Sequence, residues 1–340
     1  MKLLGLSDGR PMGNSEVLLK EAMMAAEEVV KGLEVEIIRL QLLTIKPCLG
    51  CFKCADPARQ DRDWKCVLKN DHMEYLCSKL SEADGIILSN PAYLISAPSI
   101  IFAIRDRINS GHIERKPRVA GYIAVGGSDF MNLCLPLMPI GFGIISKKVD
   151  QMFVPFTACL GQVVLNKEAM ARARKLGRNV GKAMKMPFDK VEYVGEAMKV
   201  SDAEVKYLSG TMDVPEDYVE SVVREEDHCP VCHSNLLNLQ GKYVKCAVCD
   251  VRGEIKIVGD KVTVTYDEAG LKRVRHGPIE GPRHQHLVRH SMKLYSENKK
   301  EIEEKVQKYR GYGNITAPPA FTGQKPIKLI EHMKDRQAFQ

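Results

Sequence analysis

Short apolar runs alternate with helical repeats of apolar residues over the first 185 residues of the chain. Five runs have the length and composition of buried strands, and they cover residues 2–6, 35–40, 85–89, 119–125 and 149–153. The segments between them repeat apolar residues at helical spacing, over residues 18–29, 70–80, 99–108 and 167–185. Strand–helix alternation of this kind predicts a parallel sheet that is covered by helices on both faces.

The number of predicted strands and the absence of a glycine motif favour one fold within the α/β class over another. Five strands match the flavodoxin-like strand order better than a six-stranded dinucleotide-binding fold. No G-x-G-x-x-G sequence follows the first predicted strand, as the dinucleotide fold would require. We therefore expect an α/β domain with a flavodoxin-like five-stranded parallel sheet in residues 1–185.

A loop with the features of an anion-binding turn joins the first predicted strand to the first helix. It contains Gly9, Gly13, Asn14 and Ser15, and Arg10 adds a positive charge. Glycines and small side chains let the backbone N–H groups at a helix N-terminus approach a phosphate. The alternative is an ordinary βα turn in which Ser15 caps the helix.

Two further candidate loops follow the third and fourth predicted strands. The first contains Asn90, Pro91, Ala92, Tyr93 and Ser96, and the second contains Gly126, Gly127 and Ser128. All three loops leave the carboxyl ends of their strands, where open α/β sheets bind ligands. A proline-stiffened loop with one aromatic residue suits a flat ring, and a Gly-Gly loop lets N–H groups approach the polar edge of that ring. Ordinary loop chemistry is the alternative for Tyr93 and Gly127.

These loops resemble those of the NADPH-dependent FMN reductase superfamily, and more closely its iron–sulfur flavoprotein branch. The resemblance covers about the first 185 residues. It implies FMN bound through its phosphate at Arg10, Asn14 and Ser15, and through its isoalloxazine ring near residues 91–93 and 126–128. Asp8 departs from the family pattern, because a neutral serine usually stands there. Since a carboxylate near a phosphate is unfavourable, we expect Asp8 to point away or to cap a backbone N–H.

Eleven cysteines are present, and eight of them form two tight clusters. The first cluster follows the second predicted strand and consists of Cys48, Cys51, Cys54 and Cys66. Three thiolates at two-residue gaps, with a fourth from a nearby loop, can hold a cubane. The iron–sulfur flavoproteins place such a run beside the flavin, so we expect a [4Fe-4S] cluster in the loop 48–66. The gap before Cys66 is longer than in the family motif, and zinc or unligated thiols are the alternative.

The second cluster consists of two C-x2-C pairs, Cys229 with Cys232 and Cys246 with Cys249. Each pair supplies two thiolates from one tight turn, and four thiolates make a closed tetrahedral metal site. We therefore expect structural Zn in a zinc-ribbon-like domain over residues 228–266, with a hairpin at residues 240–243. A rubredoxin-like iron centre uses the same ligands and is the alternative, although the aromatic residues typical of its first knuckle are missing.

A basic, histidine-rich segment follows the ribbon. Between residues 271 and 311, eleven lysines and arginines stand against five glutamates, which accounts for most of the formal net charge of +7. We divide the chain into residues 1–185, a connector with short helices over 186–227, the ribbon over 228–266 and a helical tail over 267–340. The tail is expected to form a helix over about residues 284–309 and to be irregular from Asn314. It is either a solvated basic helix or a segment that reaches over a flavin with residues such as His286 and His290.

The patterns together predict an FMN-dependent oxidoreductase of the NAD(P)H-dependent FMN reductase type. Electrons would move between NAD(P)H or a ferredoxin-like carrier, the iron–sulfur cluster and a small-molecule substrate. The alternative is a non-enzymatic relay between redox protein partners; we do not favour a nucleic-acid-binding regulator. No apolar run could span a bilayer and no signal-peptide pattern begins the chain, so we expect a cytoplasmic protein. We further expect a homo-oligomer, either a dimer or a tetramer, and identify no catalytic acid or base.

Overall fold

The structure is a computed structural model of the 340-residue chain. It describes residues 1–51, 66–108, 113–114, 116–127, 133–143, 145–195, 221–224, 237–247, 250–259, 261–272, 280–315 and 319.

Five of the six described strands in the central sheet are parallel strands from the first part of the chain: β1 (Lys2–Ser7), β2 (Glu34–Arg39), β3 (Gly85–Pro91), β4 (Val119–Val125) and β5 (Lys147–Val154). Their order is β2-β1-β3-β4-β5, which is the flavodoxin-like order. All seven residues of β4 are buried, as expected for a strand that has helices on both faces. The predicted fold class of this domain is confirmed.

Helices cover both faces of the sheet. On one face lie α1 (Asn14–Glu27) and α5 (Lys167–Met184), and on the other lie α2 (Met73–Glu82), α3 (Ser99–Arg107) and α4 (Cys134–Phe142). Side chains alternate along β1, so Leu3 joins the core beneath α1 while Leu4 joins the core beneath α2. Helices α1 and α5 can approach closely because Gly177 has no Cβ. A Cβ there would overlap the carbonyl oxygen of Ala22.

Three elements differ from the expectations. Helix α4 was not predicted, because Pro136 and Pro139 interrupt its apolar pattern. A short strand, β6 (Ser221–Arg224), lies within the expected connector, where a 3-10 turn at Phe188–Lys190 is also found. The expectation of irregular chain from Asn314 is wrong at its start, because β11 (Asn314–Ile315) pairs in parallel with β2. A two-residue strand is too short to show a period of two, and it forms because the edge of β2 offers unpaired backbone groups.

A second, antiparallel sheet lies in the region of the expected ribbon. Its strands are β7 (Leu237–Gln240), β8 (Tyr243–Cys246), β9 (Arg252–Val258) and β10 (Lys261–Asp267), and with β6 they follow the order β6-β10-β9-β8-β7. The predicted hairpin is present between β7 and β8, where Gly241 adopts a φ of +63°. Cys246, Val251 and Tyr266 form the small core of this sheet, which the short helix α6 (Glu268–Lys272) follows.

The predicted tail helix is present as two helices. They are α7 (Glu280–Glu297) and α8 (Lys299–Val306), and a 3-10 turn at Gln307–Tyr309 follows them. Ile302, Val306 and Tyr309 are buried in the same core as α1 and α5. The tail therefore completes the core on that face of the parallel sheet. In the part of the chain that the structure describes, no helix is both long and apolar enough to cross a membrane.

Candidate functional site

The loops after β1, β3 and β4 meet at the carboxyl edge of the parallel sheet. Backbone hydrogen bonds join them, from the N–H of Asp8 to the carbonyl oxygen of Ser89 at 3.1 Å and from the N–H of Ala92 to that of Val125 at 2.7 Å. This edge is where open α/β sheets bind their ligands. The structure thus brings the three predicted loops together.

The loop after β1 is shaped by a turn that exposes the start of α1. The N–H of Gly13 donates to the carbonyl oxygen of Arg10 at 2.8 Å, and Met12 adopts a φ of +57°. Gly13 is the N-cap, so no side chain caps the helix, and the alternative in which Ser15 does so is wrong. A Cβ on Gly9 would lie 2.9 Å from that of Ser15, and a Cβ on Gly13 would lie 2.9 Å from the Arg10 carbonyl oxygen. The uncapped N-terminus of a fourteen-residue helix behind two obligate glycines fits an anionic group.

The side chain of Asn14 has a different role from the one that the resemblance implies. Its Nδ2 donates to the carbonyl oxygens of Thr157 and Cys159, both at 2.8 Å, and its Oδ1 accepts from the N–H of Val163 at 2.9 Å. The buried amide is therefore fully used by protein groups. Asn14 has only its backbone to offer a phosphate, and its side chain fixes the loop to the segment that follows β5.

Two charged side chains lie in this loop without an ion-pair partner among the described residues. Arg10 is half-buried and lies within electrostatic range of Tyr93 and Cys159. Asp8 is buried, and its carboxylate accepts no hydrogen bond from the described part of the chain, so the expectation that it caps a backbone N–H is wrong there. Burial raises the pKa of Asp8 to about 7.

The loop after β3 buries polar atoms and exposes two apolar side chains. Tyr93 and Ser96 exchange backbone hydrogen bonds of 2.9 and 3.2 Å, and Leu94 between them adopts a φ of +56°. Tyr93 is 55% exposed and Leu94 is 81% exposed, so the tip presents an apolar rim. The Ser96 hydroxyl and the Oδ1 of Asn90 are buried without a hydrogen-bond partner. Such orphaned atoms fit a polar ligand at this edge, as a flavin nucleotide would be.

The loop after β4 offers fewer donors than its sequence suggests. The N–H of Gly126 donates to the carbonyl oxygen of Val154 at 2.9 Å, so this donor is already used. A Cβ on Gly127 would lie 3.1 Å from that of Ala158, which favours glycine there. Ser128 lies outside the described residues. Of the two described glycines, Gly127 is the one whose N–H could approach a ring.

The segment after β5 also belongs to this site, although sequence reasoning missed it. Phe156 adopts a φ of +60°, and the N–H of Thr157 donates to the Gly126 carbonyl oxygen at 2.9 Å. From the tail, the Ser291 hydroxyl accepts from the N–H of Ala158 at 3.1 Å and bonds Oε1 of Gln162. The two contacts of Ser291 span more than 120 residues, so no local pattern could have indicated them.

The first cysteine cluster is only partly described. Cys48 and Cys51 are exposed, Cys66 is half-buried, and Cys54 lies outside the described residues. Cys66 also interacts with Arg107, which forms a buried ion pair with Asp71. Over the described positions, no three potential ligand side chains gather into a metal-binding group. The described part of this loop therefore does not by itself display a cubane site.

One cysteine of the second cluster is described. Cys246 is buried at the end of β8, its N–H donates to the Val251 carbonyl oxygen at 2.8 Å, and its carbonyl oxygen accepts from the Asp250 N–H at 3.1 Å. Cys229, Cys232 and Cys249 lie outside the described residues. The zinc site stays a prediction.

Comparison with known proteins identifies similar sequences. Residues 1–147 match the family model described as NADPH-dependent FMN reductase. A flavone synthase of Aspergillus candidus is 26% identical over an alignment of 296 positions, which covers 76% of this chain and 80% of that protein. An iron–sulfur flavoprotein of Methanocaldococcus jannaschii is 36% identical over 131 residues, 38% of this chain and 63% of that protein. An iron–sulfur flavoprotein of Archaeoglobus fulgidus is 31% identical over 150 residues, 42% of this chain and 69% of that protein.

Proposed function

The first 147 residues belong to the NADPH-dependent FMN reductase family and the chain is an FMN-dependent oxidoreductase, and we propose that it transfers electrons from NAD(P)H or a ferredoxin-like carrier to a small planar aromatic substrate. The observation that carries this proposal is the meeting of three strand-end loops at the uncapped N-terminus of α1. Anions are stabilised at such a terminus by the backbone N–H groups and by the helix dipole.

FMN would lie with its phosphate against the loop from Arg10 to Ser15 and with its ring between Tyr93 and Gly127. Support comes from the glycine contacts at Gly9 and Gly13, which exclude larger side chains. When bound, FMN supplies two-electron hydride chemistry and also exchanges single electrons. The protein positions the ring, and the orphaned Ser96 hydroxyl is a hydrogen-bonding group that the ring or ribityl chain would satisfy.

A substrate of the flavone class is favoured by two observations. The Aspergillus candidus relative carries the name flavone synthase, and its similarity extends well beyond the residues that the family model matches. The exposed side chains of Tyr93 and Leu94 form an apolar rim on which a planar aromatic molecule can stack. The reaction would reduce a carbon–carbon double bond of the substrate, which takes up two electrons from the donor and two protons.

The metal centres belong to the same proposal. Cys48, Cys51, Cys54 and Cys66 would hold a [4Fe-4S] cluster that exchanges electrons with the flavin, as the names of the archaeal relatives suggest. Cys229, Cys232, Cys246 and Cys249 would hold Zn for structure. An electron relay between proteins is the second candidate function, because the exposure of Cys48 and Cys51 would leave one side of a cluster accessible to a carrier protein.

The decisive experiment purifies the full-length chain under anoxia and counts flavin, iron, sulfide and zinc per chain. We expect one FMN, bleaching of its absorbance by NADPH, and reoxidation of the reduced protein by a flavone but not by buffer alone. Absence of flavin would contradict the proposal. Flavin that is reoxidised by a ferredoxin and by no aromatic compound would replace the enzyme by the relay.

A further inference from the structure

Asp8 directly follows β1 in the loop of the candidate phosphate site, and backbone hydrogen bonds hold it in place. Its N–H donates to the Ser89 carbonyl oxygen at 3.1 Å, and its own carbonyl oxygen accepts from Nε2 of Gln41 at 2.9 Å. Only 3% of the residue is exposed. Its position between β1 and the first turn of α1 is therefore fixed by two neighbouring elements.

The carboxyl group of Asp8 has no partner among the described residues. Neither a hydrogen bond nor an ion pair reaches it there, whereas the other buried acid near this turn, Glu16, is paired with Lys20 at 3.1 Å and Arg39 at 2.8 Å. An ionised carboxylate that is buried without a partner is costly, and such a group takes up a proton instead. Burial accordingly raises the pKa of Asp8 to about 7.

The groups around Asp8 do not offset the free-energy cost of ionising its buried carboxyl group. Arg10 lies in the same loop as Asp8. Tyr93, from the loop after β3, lies within electrostatic range of both Asp8 and Arg10. Burial raises the pKa of Tyr93 from 10, and that of Cys159, which faces Arg10 from the segment after β5, to about 11. Near pH 7 to 8.5, Asp8 is thus the acid of this group that changes charge.

We propose that Asp8 is a proton-dependent phosphate ligand: as a neutral acid it donates its O–H to the phosphate of FMN, and as a carboxylate it repels that phosphate. The inference rests on the proposed function, which locates the phosphate in this loop. Each binding event above neutral pH then takes up one proton from the solvent. The residue that departs from the family pattern becomes a pH-sensitive part of the cofactor site.

The direction of the pH effect follows from the charge change. A bound phosphate raises the affinity of Asp8 for its proton still further, so FMN binding is strongest where Asp8 is already neutral. Above about pH 7 the affinity falls by about tenfold per pH unit, because one proton must be taken up with each flavin. The second ionisation of a phosphate ester lies near pH 6 and is complete in this range.

Equilibrium dialysis of the full-length protein against FMN at pH 6.5 to 9.0, at constant ionic strength, tests the inference. For the natural protein we expect a Kd that is constant up to about pH 7 and that rises about tenfold between pH 7.5 and 8.5. Asp8→Asn, which is fixed in the neutral form and similar in shape, should change by less than twofold over the same range. Asp8→Ser is a second neutral variant, and riboflavin, which lacks the phosphate, should bind the natural protein without this pH dependence.

The outcomes separate the inference from the function on which it rests. FMN binding that is independent of pH in the natural protein, or an equal pH dependence in Asp8→Asn, would overturn the role of Asp8 and leave the flavin site intact. An equal pH dependence for riboflavin would overturn it as well, because the phosphate would not be involved. Failure to bind FMN at every pH would refute the proposed function and the inference together.

Discussion

The side-chain oxygen of Asn14 accepts a hydrogen bond of 2.9 Å from the backbone N–H of Val163, which is 149 residues further along the chain. The same amide donates two more hydrogen bonds to this segment. Asn14→Ala should therefore leave several buried backbone groups unpaired, each costing about 1–3 kcal/mol. We expect a loss of about 2–4 kcal/mol in the free energy of unfolding, measured by urea denaturation, together with weaker FMN binding. Unchanged stability would show that water replaces the amide.

Gly9→Val should release flavin while the fold survives. A Cβ at this position lies 2.9 Å from that of Ser15, so a branched side chain must displace the turn that presents the helix N-terminus. Flavin content per chain after gel filtration measures the effect, and circular dichroism reports the fold. Gly143→Ala is the matched control, because it lies at the end of α4 with an ordinary φ of −63°. Full flavin content in Gly9→Val would remove the loop from the site.

The contact of the tail with α1 should stabilise the protein only above acidic pH. Burial opposes ionisation of Glu21, but hydrogen bonds from Tyr309 and Arg174 and the charge of Lys308 outweigh it and hold its pKa below the ordinary value of 4.5. A lowered pKa in the folded state means that the unfolded chain binds the extra proton, so stability is lost as the pH falls below about 4.5. Thermal unfolding between pH 3 and 7 should show a smaller pH dependence for Glu21→Gln than for the natural protein. Parallel curves would contradict the assignment.

Removal of a cysteine from the first cluster should abolish iron binding without unfolding the parallel sheet. Cys48→Ser eliminates an exposed candidate ligand, and iron and acid-labile sulfide counted under anoxia should fall to near zero. Cys77→Ala is the control, since burial raises the pKa of that thiol to about 12 and makes it a poor thiolate. Stoichiometric zinc without sulfide at this cluster would contradict the [4Fe-4S] assignment.

Removal of a cysteine from the second cluster should unfold only the antiparallel sheet. Cys246 is buried beside Val251 and Tyr266 in a core of few residues, so bound metal would supply much of the folding free energy. Cys246→Ser should become protease-sensitive within residues 228–266 and keep its FMN, as peptide mapping and flavin absorbance can establish. If iron occupies the site and changes oxidation state reversibly, the module is a rubredoxin-like carrier.

Local patterns were sufficient to predict the parallel sheet, and β4 was predicted at its observed ends, residues 119 and 125. They succeeded because a strand that is buried on both faces is apolar throughout and its neighbours are amphipathic helices. They failed where tertiary contacts decide the outcome. Helix α4 was not predicted because Pro139 interrupts its helical pattern, and β11 exists only because β2 offers an open edge.

In the candidate site, too, some residues could be predicted from local sequence and others could not. Gly9, Gly13 and the loop after β3 could be recognised from residue types, because turns need glycine and proline for local reasons. The roles of Asn14 and Gly126 could not, since their hydrogen bonds go to residues that are distant in sequence, such as Thr157. The tail residue Ser291 is hidden for the same reason.

The pairing of β11 with β2 can form only late in synthesis, because β11 is translated long after β2. Glu36 emerges from the ribosome long before Asn314, the residue it faces across the sheet. At typical synthesis rates the gap of 278 residues lasts about 15–55 s. Throughout that interval the backbone groups of Glu36 and Ile37, which β11 later pairs, are open to any other extended chain, including that of a neighbouring nascent copy. Slow synthesis lengthens this interval, so slowly translated copies should depend more on chaperones that shield this edge, and chains that end before residue 314 should aggregate more readily.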